Sequence, residues 1–448
     1  MSAEATLPPG PSYSSPFQFF RELRPDPLGY YRRLVSEYGD LACVNMWPRC
    51  QIVTSRPHQH RHVLIDQLER YPKGITFRRR KDIGGEGLFF SEGELWQHQR
   101  RLIMPSFRHS ALQALVPHMV AGARDFVERM EKRVGDPTFN LAPEMAKLAM
   151  DIACRAFFGC DILDRAQALH EALWASSRYT GHVSTHPLAP PIWVPTKLNR
   201  SAKRALRTMY GAIDELIREN RERGEDGNVL ARLNTFVEEG QMTEQQLRYE
   251  MWTLLNAGHE TTATTLGFAF GLLDLHPAAR ERIQSEADAL TSDTPGAPDL
   301  PSLAFTERAV RETLRLYPPA WGTGRECLED DEIDGFRIPA KSIVTTLFFV
   351  TQEHPDYWAS PSIFDPDRFL PKRSIGRPSE AWCPFGLGGR SCIGEDFALM
   401  EATLAIAIVA RRLQFRLAPG ANLVGRVHGI GPLRPSEGIP MTVHARSD

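Results

Sequence analysis

Apolar residues recur at helical spacing through most of residues 92 to 317, broken by polar or proline-rich stretches, and this period predicts a largely helical protein. Upstream, "DPLGYYRRLVSEYG" (26 to 39) carries the same period and ends in glycine. "DLACVNMWPRCQIVTS" (40 to 55) instead alternates enough to predict a short hairpin. From 325 onward, short β-favouring runs and proline turns lead to a glycine-rich loop and a last apolar helix, "GEDFALMEATLAIAIVARRL" (394 to 413). The longest helix is marked by Thr243 and Gln246, a capping-box spacing, and runs through "LRYEMWTLLNAGHETTATTLGFAFGLLDL" (247 to 275) to a stop at Pro277. Two stretches follow neither period, 71 to 90 and 184 to 198, and irregular segments of this kind are expected to form mobile walls of a pocket. No repeat or glycine-serine linker divides the chain. The expectation is one unit over 1 to 448, mainly α with small β-sheets, in which the polar, proline-rich residues 1 to 20 are poorly ordered.

Composition narrows the function. A hydrophobic fraction of 42% supports a large core, and a net charge of −2 argues against a general nucleic-acid binder. Seven scattered cysteines form no disulfide framework, which points to a reducing compartment. With no signal-peptide pattern and no apolar run near ~20 residues, the chain is expected to be cytoplasmic, without a membrane anchor. His58 and His62 stand at helical spacing but lack a third metal ligand, and "RRRK" (78 to 81) reads as solvated loop charge.

Four stretches break local rules. In "PFGLGGRSCIGEDFA" (384 to 398), Cys392 lies between a glycine-arginine loop and a helix start, where peptide dipoles favour a thiolate that could serve as nucleophile, disulfide partner or metal ligand. In "NAGHETT" (256 to 262), a glycine, an acid and two threonines interrupt an apolar helix. Either Thr261 bonds back to the Ala257 carbonyl and Glu260 reaches water, or Gly258 admits something flat and the acid and alcohol handle protons. In "RETLRLYPP" (311 to 319), Glu312 and Arg315 share a helix face. Such a pair is ordinarily exposed and weak, but it becomes a buried network if Arg368 of "FDPDRF" joins it. In "ELWQHQRRLIMPSF" (94 to 107), Trp96 and Arg100 share a face and offer only donors, so an acidic group is their natural partner.

Taken together, these motifs carry a resemblance. Phe385, Gly388, Arg390, Cys392 and Gly394 reproduce the haem-loop signature of the cytochrome P450 monooxygenases, and "AGHETT", "ETLR" and "WQHQR" match that family's oxygen-side, glutamate-x-x-arginine and tryptophan-x-x-x-arginine helices. The chain resembles a soluble bacterial-type P450 over nearly its whole length. The resemblance implies a P450 fold with haem b and Cys392 as proximal thiolate ligand, a ligand type that favours O–O bond cleavage. It further implies propionate binding by Trp96, Arg100, Arg325 and Arg390, haem packing by Phe385, Gly394, Ala257 and Gly258, and proton delivery by Thr261 and Glu260. Glu312, Arg315 and Arg368 would be scaffold. Phe89, Trp321, Gly322, Thr323 and Ile430 would line the substrate pocket, with further walls from the 171 to 195 region. The implied reaction inserts one oxygen atom from O2 into a hydrophobic terpenoid, polyketide or fatty-acid skeleton of secondary metabolism. NADPH-derived electrons would come through a separate ferredoxin and reductase to a monomeric enzyme. A peroxide-driven haem enzyme, a haem-thiolate isomerase or dehydratase, and a haem sensor or electron carrier are the alternatives, each with less use for both Glu260 and Thr261.

Overall fold

Side-chain caps start several of the major helices: Ser15, Asp26, Asn140, Thr196, Asn228 and Thr243 each accept a first-turn backbone N–H. A computed structural model describes residues 6–46, 49–74, 77, 81–160, 163–186, 188–224, 227–427 and 431–446. Its early helices are α1 (Pro16–Leu23), α2 (Pro27–Tyr38), α3 (Pro57–Arg61), α4 (Lys81–Gly84), α5 (Gly93–Ile103), α6 (His109–Glu131), α7 (Leu141–Phe158) and α8 (Leu163–Thr185). There follow α9 (Lys197–Arg223), α10 (Val229–Glu238), α11 (Glu244–Leu275), α12 (Pro277–Asp288), α13 (Ala304–Leu316), α14 (Phe348–Glu353), α15 (Pro371–Ser374) and α16 (Glu395–Arg412). The helix expected from Thr243 is thus 32 residues long. Every residue from Thr262 to Leu273 is buried, and α11 packs on α7, α9, α13 and α16 as the centre of the main core.

Among the described residues the strands form four small sheets, two of which are β4 (Phe139–Asn140), β12 (Pro440–Ala445) and β9 (Leu413–Leu417) in that order, and β6 (Asp331–Ile333) beside β7 (Phe336–Ile338). β1 (Ser12–Tyr13), β2 (Leu41–Met46), β3 (Arg49–Thr54), β8 (Ile343–Thr346) and β5 (Thr323–Glu326) are neighbours in that order. β2 and β3 form the expected antiparallel hairpin, with Cys43 opposite Ile52, and β3 then pairs in parallel with β8. Antiparallel pairing of β5 on β8 sets Arg325 opposite Val344. Near the C-terminus, β10 (Gly425–Val427) and β11 (Leu433–Pro435) make a separate hairpin. The N-terminal segment joins the sheet of β2 and β3. Ser12 and Tyr13 pair with β2, and Phe19 and Leu23, one turn apart on α1, are each 2% exposed in a second core cluster, so one apolar face outweighs a polar composition.

Glu312, Arg315 and Arg368 are joined and buried. Arg315 donates through Nε and Nη2 to the two carboxylate oxygens of Glu312 at 2.8 and 2.9 Å, and Arg368 Nε donates to Glu312 Oε1 at 2.8 Å. The remaining guanidinium hydrogens reach the carbonyls of Gln352, Ala359 and Ile363. The network therefore ties α13 to the chain that leads into the cysteine loop.

Candidate active site

Glycine shapes the loop around Cys392. Gly386 and Gly388 have φ of 74° and 69°, left-handed values that L side chains rarely adopt, and a Cβ on Gly388 would stand 2.4 Å from the Leu64 carbonyl oxygen. The loop closes on itself when Cys392 N–H donates to the Phe385 carbonyl at 2.8 Å. Cys392 is exposed at the surface of the site, whereas Cys383 is 1% exposed in a core cluster and burial pushes its thiol up. A Cβ on Gly394 would sit 3.9 Å from the Cys392 sulfur. The expected preference for a thiolate is opposed by burial. Surrounding protein desolvates the sulfur and pushes the thiol up to about 11, against the Gly394 N–H and Arg100, which favour the thiolate, and with Glu395, which does not.

Basic side chains from four segments gather beside this loop. Arg325 on β5 is 6% exposed, and its Nη1 donates to Thr323 Oγ1 at 2.8 Å. Arg390 lies over the Trp96 ring at 4.2 Å and donates to Glu92 Oε2 at 2.5 Å, while Arg100 reaches the Ser391 carbonyl at 3.0 Å. Lys73, 8% exposed, adds a further positive charge, and its backbone N–H donates to Glu92 Oε1 at 3.0 Å. Burial, with Arg390 second, pulls Arg325 down to about 10. The Nε atoms of both Arg325 and Arg390 are buried without a hydrogen-bond partner among the described residues. Orphaned guanidinium donors and several cations around Glu92 suit a ligand edge that carries carboxylates, so these residues fit the two propionates of haem.

On α11, Thr261 is half-buried and its hydroxyl donates to the Ala257 carbonyl at 2.6 Å, the back-bonded arrangement. Thr262 turns the other way, toward Glu401 of α16 at 3.4 Å, both buried. Glu260 does not simply reach water. It forms an ion pair with Arg434 of β11, whose Nη2 also donates to Ser177 of α8 at 2.8 Å and whose guanidinium lies 4.2 Å from the Trp174 ring centre. A Cβ at Gly258 would meet Phe157 and Ala153 of α7 at ordinary contact distances of 3.4 to 3.9 Å, while Ala257 beside it is exposed.

The pocket expectations divide. Phe89 is 47% exposed between buried Leu88 and Phe90. Trp321 is 6% exposed, packs in the second core cluster against Tyr31 and Phe349, and donates to the Gly431 carbonyl at 2.9 Å. It is a core residue, a place its large ring suits as well as a pocket wall. A Cβ on Gly322 would stand 2.5 Å from the Thr346 carbonyl oxygen, so Gly322 permits strand approach, and Thr323 holds Arg325. Ile430 and residues 78 to 80 lie outside the described residues. Within the stretch 71 to 90, expected to be a mobile wall, Leu88 is tied to α11: Glu250 accepts its N–H at 2.9 Å. His58 and His62 bond Asp334 and Asp331 at 2.9 and 2.7 Å. Sequence reasoning missed Glu92, Glu250 and Arg434, which have partners far away in the chain, and Lys73, whose backbone and side chain bond residues 15 to 19 positions on.

Three comparisons bear on this site. The family model described as Cytochrome P450 matches residues 8–441. Cyclooctat-9-en-7-ol 5-monooxygenase of Streptomyces melanosporofaciens is 32% identical over 399 residues, covering 86% of this chain and 84% of the relative. Pentalenene oxygenase of Streptomyces avermitilis is 29% identical over 402 residues, covering 88% of each. Among solved structures, the cytochrome P450DA heme domain superposes with a TM-score of 0.87 at 26% identity over 99% of both chains. No helix among the described residues is long and apolar enough to cross a membrane. With a cysteine loop and a cationic cradle of this form, and with these matches across almost the entire length, the chain belongs to the cytochrome P450 family and is a cytochrome P450 monooxygenase.

Proposed function

We propose that this monooxygenase oxygenates a terpenoid skeleton, with Cys392 as the ligand of haem b iron and electrons supplied by a separate ferredoxin and reductase. The terpenoid class is favoured over polyketides and fatty acids because relatives covered over most of their length are named for oxygenating cyclooctat-9-en-7-ol and pentalenene. Haem supplies O2 binding and activation when bound. The chain's own residues do the rest. Arg325 and Arg390 have unspent Nε donors for the propionates, and Trp96 stacks under Arg390, which sets the plane of its guanidinium. Arg100 braces the cysteine loop through Ser391 and favours a charged sulfur. Gly394 donates its N–H to the sulfur, and Phe385 anchors the loop through its carbonyl.

For proton handling, Thr261 and Glu260 lie next to exposed Ala257 on one stretch of α11. Thr261 can release Ala257 and present its hydroxyl to the reacting oxygen. Glu260 can take protons from solvent at its Arg434 end and hand them inward. Phe89 offers an apolar wall for the substrate.

The observation that carries this reading is the exposed Cys392 on a glycine-shaped loop beside orphaned Arg325 and Arg390 donors. The test is turnover of a cyclic terpene panel with NADPH, a surrogate ferredoxin and its reductase under labelled dioxygen. One labelled oxygen per product is expected. Product without the partner proteins, or label arriving from water, would overturn it.

A further inference from the structure

A buried lysine and a buried glutamate hold one turn of the chain. The Lys73 ammonium donates to the carbonyls of Leu88 at 3.3 Å, Phe89 at 2.7 Å and Ser91 at 3.1 Å. All three of its donors meet acceptors. Glu250, fully buried in α11, takes the complementary group, the Leu88 N–H, at 2.9 Å. Glycines let the stretch lie close on α11. A Cβ on Gly85 would stand 2.2 Å from Tyr249 Cε1, and one on Gly87 would stand 2.2 Å from Thr253 Oγ1 and 2.7 Å from the Tyr249 carbonyl oxygen. Leu88 and Phe90 are buried by this arrangement, and Phe89 is left 47% exposed. Lys73 is also joined to the cationic cradle, since its backbone N–H and Arg390 bond the two oxygens of one carboxylate, Glu92.

We infer that Lys73 and Glu250 are positioning residues for substrate selection: together they hold the 84–91 wall so that Phe89 is the side chain presented to the ligand, and Lys73 ties that wall to the propionate-side cluster through Glu92. This rests on the haem-monooxygenase reading above. A buried amine spent on three carbonyls of one stretch fixes geometry more than it performs chemistry. Releasing the wall should therefore blur ligand choice and leave the haem centre intact.

The experiment uses the full haem-loaded chain and Lys73→Met, which keeps an apolar stem and removes all donors. Hydrogen exchange of amides 86 to 91 is expected to quicken by about tenfold as the local opening energy falls. Spectral titrations with a cyclic sesquiterpene alcohol and with dodecanoic acid should show their affinity ratio shrinking toward one. Parent exchange rates with a parent affinity ratio would overturn the inference. Should Lys73→Met yield no haem-loaded protein, Glu250→Ala releases the same turn from the α11 side and is read by the same two measurements. Phe89→Ala is the independent arm. It should shrink the ratio by itself and add nothing to Lys73→Met in the double variant, and an unchanged ratio in Phe89→Ala overturns the inference whatever the others do. The reduced carbon monoxide spectrum separates the two levels, because a parent without the thiolate band refutes the haem reading, whereas a parent with it and a rigid, discriminating Lys73→Met refutes only the role of the wall.

Discussion

Thr261 must open its 2.6 Å bond to the Ala257 carbonyl before its hydroxyl can serve the reaction. Such back-bonding stabilises a helix little, so Thr261→Ala should load haem and melt within about 0.5 kcal/mol of the parent. What it should lose is coupling: NADPH and O2 are still consumed, but a larger share leaves as hydrogen peroxide. The ratio of product to NADPH, with peroxide assayed in parallel, measures this, and a mutant coupled as tightly as the parent would leave Thr261 with only its helical bond. Residues of this kind were legible in the sequence because an acid and an alcohol in an apolar helix are locally costly. Arg434 was not legible. It reaches Glu260 across 174 positions, and nothing in "GRVHGIGPLRP" announces an ion pair with another strand or helix.

Between elements, two buried charge systems make opposite demands. Glu312 receives two arginines and a backbone N–H, that of Asp365 at 3.0 Å, and is fully buried. Glu312→Ala would strand both guanidinium groups, and breaking a buried pair from one side costs about 3 to 5 kcal/mol. Little folded, haem-loaded protein is expected, whereas a parent-like melting temperature and haem content would return the pair to ordinary surface status. Glu250 behaves differently. Burial, opposed by the Leu88 N–H and by Lys73, pushes its carboxyl up to about 8. The folded chain thus keeps this proton up to about pH 8 while the unfolded chain releases it near the ordinary glutamate value, so from that value to about 8 stability falls as pH rises, by about 1.4 kcal/mol per unit for this group at most. Glu250→Gln keeps an acceptor for Leu88 and cannot ionise. It should melt with the parent near pH 5 and above it at pH 9. A constant difference across that range would show that Glu250 is already ionised in the folded protein. Lys73, drawn down to about 7 by burial and by Arg390, titrates in both proteins, and its attraction for the Glu250 carboxylate is part of the measured difference.

At the scale of the molecule, the helical body, the β2–β3 hairpin and the long α11 were readable from period and caps, because each is decided by residues a few positions apart. The cysteine loop was readable for the same reason: its glycines, arginine and thiol are contiguous. What the sequence concealed was assembly. The cradle draws Lys73, Arg325 and Arg390 around Glu92, with Arg390 and Glu92 separated by 298 positions, and the pairing of β5 on β8 that delivers Arg325 is a long-range choice. Trp321 went to the core because a large ring fills either a core or a pocket, and only the packing of Tyr31 and Phe349 against it decides. One sulfur, that of Cys392, carries the central claim. The most direct test is therefore the carbon monoxide difference spectrum of the reduced protein, recorded for the parent and for Cys392→Ser. The parent should show the red-shifted band of a thiolate-ligated haem and the variant should lose it, whereas an unchanged band in Cys392→Ser would move the ligand to another cysteine and contradict the account.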